Sequence, residues 1–229
     1  MTFEYEKQMA EPAERWLREQ GLMVKREFPT PWGICDLVGC SLNKSKVRRR
    51  LRLRQTQPIR SQLRVHLLSL IPEQGQGCID ADDLHRVFEP YLDKGRIECE
   101  LRRLVKDRFV RPGDDRTFCK VNGWMPLQKR LVAVELKLAR IDDAFHQAIN
   151  NLGFADESYV GLPSDVAMRL VRSRRKAECV ERGIGVLAVS TDRCRVVLRA
   201  TKRPSSPDKT TQSYAVERFW LPHLRDSEA

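Results

Sequence analysis

The sequence lacks the features that mark membrane, zinc-finger and nucleotide-driven proteins. No uninterrupted apolar run approaches the roughly 20 residues that a membrane helix needs. The stretch MTFEYEKQMAEPAERW is charged from its fourth residue, which reads as the absence of a signal peptide. Seven cysteines (Cys35, Cys40, Cys78, Cys99, Cys119, Cys179 and Cys194) form no CxxC pair, so neither a zinc site nor a disulfide framework is expected. Reduced thiols in a cytoplasmic protein are the expectation instead. No GxxxxGK[ST] and no GxGxxG occurs, which leaves nucleotide-driven chemistry without support. His66, His85, His146 and His223 are scattered, none beside a Cys or Asp at ligand spacing, and they read as structural. No internal repeat is visible.

What is present is a globular composition with an uneven charge. The chain has 229 residues, 41% hydrophobic and 32% charged, enough for one generous domain or two small ones with a buried core. The net charge is +11. Residues 41–130 hold 21 Lys and Arg against 11 Asp and Glu, a surplus of ten, while residues 1–40 are slightly acidic and residues 131–229 carry only +3. A basic segment on a near-neutral frame is the electrostatic footprint of a polyanion binder.

The chain reads in three stretches. Residues 5–20 predict an amphipathic helix with Met9, Ala13, Trp16 and Leu17 on one face and Gly21 as its stop, Pro12 leaving its first turn as a separate piece. Two β-prone runs around Pro-Thr-Pro-Trp-Gly then predict a hairpin. Val47–Arg54 partly alternates and reads as an edge strand extending that hairpin, a solvated loop being the alternative. Residues 61–123 predict a separate module. It has a helix bearing Leu63, Leu67, Leu70 and Ile71, a helix capped by Asp80, and a third from about Lys94 with Ile97, Leu101, Leu104 and Val105 inward. A hairpin over 109–121 follows. That order matches a winged helix-turn-helix, in which Arg96, Arg102, Arg103 and Lys106 on the third helix and Arg111, Arg116 and Lys120 on the hairpin would meet DNA. From residue 131 the pattern is α/β: LVAVELKLA, SYVGLP and IGVLAVS as strands, with IDDAFHQAINNLGFAD and SDVAMRLVRSRRKAECVERG as helices between them. RCRVVLRATK pairs with the last strand, and 204–213 reads as a polar loop.

Two places carry acids inside apolar runs: Asp36 in ICDLVG, and Glu135 in LVAVELKLA, followed by Lys137 on the same strand face. Charges on mostly apolar strands are costly unless they serve each other or a ligand. Two carboxylates beside a lysine can hold Mg²⁺ and activate water at a phosphodiester, whereas the plain alternative is an ion pair at a strand end.

The combination of a helix with acids, a hairpin carrying Asp36, a strand carrying Glu135-Leu136-Lys137 and a helix with Gln147 resembles the PD-(D/E)XK nuclease superfamily. The resemblance covers residues 4–40 and 131–190. It implies a restriction-endonuclease-like core, an α/β fold with a mixed sheet flanked by helices. Residues 1–42 and 131–229 would form that core, and residues 43–130 a basic, winged-helix-like insertion. It further implies that Asp36, Glu135 and the Leu136 carbonyl hold Mg²⁺, with Mn²⁺ able to substitute. Lys137 would position the water, and Gln147 would orient the lysine or a phosphate. The helix-one glutamate would be Glu6, with Glu11 and Glu14 as alternatives. Cys35 stands where many members have Pro, and 99 residues separate Asp36 from Glu135 where members usually have a short hairpin. The expected activity is DNA cleavage in defence, restriction or repair, duplex cutting favouring a homodimer and no membrane being involved. The alternatives are a non-catalytic DNA-binding protein on the same scaffold, an RNA nuclease, or a nuclease subunit active only in a complex.

Overall fold

A computed structural model describes residues 3–121, 127–201 and 208–220. In chain order the elements are α1 (Lys7–Glu19), β1 (Met23–Thr30), β2 (Gly33–Leu42), α2 (Lys44–Arg52), α3 (Gln62–Leu70), β3 (Ile79–Asp80), α4 (Ala81–Phe88), α5 (Lys94–Lys106), β4 (Val110–Pro112) and β5 (Thr117–Lys120). They continue with β6 (Gln128–Leu136), α6 (Ile141–Asn151), β7 (Glu157–Pro163), α7 (Ser164–Arg172), α8 (Arg175–Arg182), β8 (Gly185–Val189), β9 (Cys194–Leu198) and α9 (Lys209–Glu217). The chain divides into two compact units, Met1–Ser41 with Gln128–Ala215, and Leu42–Leu127 with the chain after Ala215. None of the described helices is long and apolar enough to cross a membrane.

The first unit is a six-stranded mixed sheet in the order β1-β2-β6-β7-β8-β9, flanked by helices. β1 and β2 are antiparallel, β6, β7 and β8 run parallel, and β9 returns antiparallel to β8. Strand alternation divides its core between two faces. Val132, Val134, Leu136, Tyr159 and Leu187 meet Met9, Ala13, Trp16 and Leu17 of α1. Val160, Leu162, Val186 and Ala188 meet Ala144, Phe145 and Ala148 of α6, Leu170 of α7 and Cys179 of α8. Each fully buried apolar side chain of this kind contributes about 1.5–3 kcal/mol. The helix α1 runs as one piece through Pro12 and stops just before Gly21, whose φ of +73° suits glycine. The long helix expected after β7 is broken at Ser173 into α7 and α8.

The second unit departs from the sequence reading in several places. Residues 44–52 are helical, neither strand nor loop. Asn43 caps them, its side chain accepting from the Ser45 and Lys46 amides, and Val47 and Arg50 turn inward at helical spacing. Arg50 has no exposed surface, a placement that its charge hides from any hydrophobic pattern. Three helices, α3, α4 and α5, and the hairpin β4–β5 follow, with β3 joining a three-stranded sheet in the order β3-β5-β4. On α3 the inward residues are Val65, Leu67 and Leu68, with Leu63 and Leu70 only partly covered. On α4 Leu84 is buried while Val87 is exposed, and Tyr91 beyond its end is exposed too. Cys78 and Cys119 form a disulfide, which corrects the expectation of reduced thiols throughout; Cys35, Cys40, Cys99, Cys179 and Cys194 are free. Pairing of Ile79 with Phe118 across β3 and β5 brings the two sulfurs together over 41 residues of chain, a proximity no local spacing reveals. Part of the expected polar loop 204–213 is helix: Asp208 accepts from the Thr210 and Thr211 amides to start α9, while 202–207 lie outside the described residues.

Candidate functional site

The acids singled out from sequence converge in the first unit, where β2 and β6 are neighbours. Asp36, half-buried on β2, accepts a 2.7 Å hydrogen bond from the Leu136 amide, tying it to the end of β6. Glu135 lies one residue earlier on β6 and is only 2% exposed. Its Oε1 accepts from Asn151 Nδ2 at 2.6 Å, while its Oε2 is buried and has no hydrogen-bond partner. Lys137, just past the strand, reaches Glu6 Oε2 at 3.3 Å, and Glu6 Oε1 accepts from the Leu138 amide at the same distance. Among the three candidate helix-one acids, Glu6 is therefore the one at this site. Glu11 pairs with Arg15, and Glu14 with Arg18 and Arg26.

The electrostatics follow from burial. Loss of water pushes the Glu135 carboxyl up to about 7; the Asn151 and Cys35 side chains and the Lys137 charge work against the rise, and the Asp36 charge adds to it. Asp36 is also raised, first by burial, against the pull of the Leu136 amide and the Lys137 charge, with Glu27 and Glu6 adding to the rise. Burial and the Glu135 charge raise the Cys35 thiol beside it well above the ordinary range.

Three residues at this site were not legible beforehand. Asn151 ends the inner stripe of α6, seven residues after Ala144 and three after Ala148, and a buried Asn on an otherwise apolar stripe is the signal that marks it. Trp32, at the tip of the β1–β2 hairpin, donates from Nε1 to Asn151 Oδ1 at 3.2 Å. Glu27 faces Asp36 across the hairpin, between the pairs Arg26–Leu37 and Phe28–Cys35, with a left-handed φ of +48° that is uncommon outside glycine. Gln147 makes no hydrogen bond to Lys137: its Oε1 is buried without a hydrogen-bond partner, and the α6 residue bonded to Glu135 is Asn151.

Among the described residues no group of three or more His, Cys, Asp or Glu is arranged to hold a metal ion. Asp36 and Glu135 are the carboxylates at the site, and oxygen donors of this kind are what a hard cation such as Mg²⁺ would use. Glu135 Oε2 fits that use, because a buried carboxylate oxygen without a donor is one that a cation would satisfy.

The basic residues of the second unit sort into two groups. Arg96, Arg102, Lys106 and Arg111 are exposed and have no acidic partner among the described residues. Arg103 is paired with Glu100 and Arg116 with Glu98. Lys120 does not point outward as expected. Its side chain is 3% exposed and its ammonium meets Glu73 at 2.7 Å, because the last residue of β5 faces the unit's interior.

No family model matches the chain, and no curated protein matches it. Among solved structures it is similar to the SPO1766 protein of unknown function from Silicibacter pomeroyi. That likeness has 13% identity and a TM-score of 0.41 over 100% of this chain and 97% of that one, too low to bear on fold or function.

Proposed function

We propose that this chain is a divalent-metal-dependent DNA endonuclease, its first unit a PD-(D/E)XK-like catalytic core and its second a winged-helix-like module that grips duplex DNA. One observation carries the reading: Glu135, buried beside Asp36, keeps one carboxylate oxygen without a hydrogen-bond partner. Most buried polar atoms are hydrogen-bonded, and a bound cation would supply the partner that this oxygen lacks. Asp36, Glu135 and the Leu136 carbonyl would hold the cation. When bound, a divalent cation lowers the pKa of a coordinated water and offsets charge on a phosphate.

The protein's own groups do the rest. Asn151 holds the Glu135 carboxylate and the Leu136 amide holds that of Asp36. Lys137, held by Glu6, supplies a positive charge and a proton-transfer group beside them. Helix, strand, two helices and a hairpin, with strand order β3-β5-β4, support the winged-helix reading of the second unit. On α5 the free cations Arg96, Arg102 and Lys106 suit phosphate contacts. One active site per chain favours a homodimer for cutting both strands.

The test is incubation of the purified protein with plasmid, linear duplex, single-stranded DNA and RNA in Mg²⁺, Mn²⁺ or EDTA. Cleavage of DNA should require the metal and fall by about 10²–10⁴-fold in Lys137→Ala. No cleavage of any substrate by a folded, metal-supplied protein would overturn the reading in favour of a non-catalytic binder. Cleavage of RNA alone would replace DNA as the substrate.

A further inference from the structure

The tip of the β1–β2 hairpin is unlike the rest of this highly charged chain. Residues 28–35, Phe-Pro-Thr-Pro-Trp-Gly-Ile-Cys, carry no charge, and Pro29, Pro31, Trp32 and Ile34 are all exposed. Trp32 is 42% exposed, yet its indole is held in place. Its ring lies 6.1 Å from that of Phe154, and it occupies space left by Gly153, where a Cβ would come within 2.9 Å of the ring. Its N–H is used by Asn151, whose amide nitrogen in turn holds Glu135. A rigid aromatic surface thus stands two hydrogen bonds from the carboxylate with the open oxygen.

We infer that Trp32 is a stacking platform for an unpaired base of the substrate, placed so that the phosphate joined to that base reaches Asp36 and Glu135. This inference rests on the nuclease reading and narrows its substrate to DNA carrying an unstacked nucleotide, such as a duplex with a single-stranded extension. A flat apolar ring suits the uncharged tip, whereas a phosphate backbone would seek cations that the tip lacks. Preorganisation matters as well. With the indole fixed by Phe154, Gly153 and Asn151, a base gains the stacking contact without the cost of ordering the tryptophan.

The experiment is metal-free binding in EDTA, with three probes: oligothymidylate, a blunt duplex, and the same duplex with a single-stranded extension. Fluorescence of the wild type minus that of Trp32→Phe isolates the Trp32 signal from those of Trp16, Trp124 and Trp220. Oligothymidylate and the extended duplex should quench that signal, and Trp32→Ala should bind them about tenfold more weakly. The blunt duplex should do neither. Trp32→Phe keeps an aromatic ring against Phe154 and should retain part of the affinity, so weakened binding in Trp32→Ala is separable from misfolding. Equal binding by wild type and Trp32→Ala, absence of quenching, or equal dependence on Trp32 for the blunt duplex would each overturn the platform. Cleavage is not needed for any of these readings, so failure here leaves the metal-dependent cleavage assay to judge the nuclease reading on its own.

Discussion

Glu217 in the second unit and Glu135 in the first bury the same chemical group among very different partners. Both Glu217 oxygens meet the Arg50 guanidinium, at 2.5 and 3.0 Å, and Glu217 Oε2 also accepts from the Ile59 amide. Arg50 is equally satisfied: it donates to the carbonyls of Gln55 and Gln57, and its guanidinium lies 5.0 Å from the Phe109 ring centre and 4.1 Å from that of Trp220. Glu135 has the Asn151 amide and the Cys35 thiol beside it, an Oε2 left without a hydrogen-bond partner, and a second carboxylate for a neighbour. A closed network of this kind fixes a structure, while an open one leaves capacity for something that binds. The contrast gives a rule for this molecule: a buried charge with all partners supplied holds the chain together, and one left short marks where a ligand is expected.

The sharpest way to break that contrast is to make the same substitution at both places. Glu217→Gln leaves the Arg50 charge buried without its counter-charge and should destabilise the protein by about 3–5 kcal/mol, read by denaturant unfolding. Glu135→Gln should do the reverse in metal-free buffer. Its carboxyl is pushed up to about 7 from an ordinary value near 4.5, so the folded wild type binds the proton more tightly than the unfolded chain does. Wild-type stability therefore falls as pH rises from about 4.5 through 7, and above that the whole cost is present. The variant, which has no charge to bury, should be more stable at pH 8 by up to about 3 kcal/mol and equal to wild type below pH 4.5. Equal signs at the two sites would remove the distinction.

The smallest expected effect concerns the basic surface. Replacing the unpaired Arg96, Arg102 and Lys106 with Ala should reduce the slope of log K against log salt for duplex DNA by roughly 0.9 for each phosphate no longer neutralised. Arg103→Ala, already neutralised by Glu100, should change it less. An unchanged slope in the triple variant would mean that α5 does not lie on DNA.

Much of the first unit was legible because its strands alternate apolar residues onto two covered faces and its helices carry matching stripes. Asp36, Glu135 and Lys137 stood out for a related reason: each interrupts an apolar run. Other parts were hidden by long-range partners. Arg50 looks like one more surface cation in a basic run until Glu217, 167 residues away, is placed against it. Asn151 reads as a helix-end residue, although Glu135 and Trp32 make it a central one. Cys78 and Cys119 are joined by strand pairing, and Lys120 is turned inward by the end of β5, neither of which a spacing rule registers.

The central claim is that Asp36 and Glu135 share a cation, and thermal unfolding against Mg²⁺ concentration at pH 8 tests it most directly. A ligand bound only by the folded state stabilises it by about 2.7 kcal/mol at one hundred times its Kd. The wild-type melting temperature should climb with Mg²⁺, while Glu135→Gln and Asp36→Asn should start higher or level with it and stay flat. A wild-type response that both variants retain in full, or no response in any of the three, would contradict the claim.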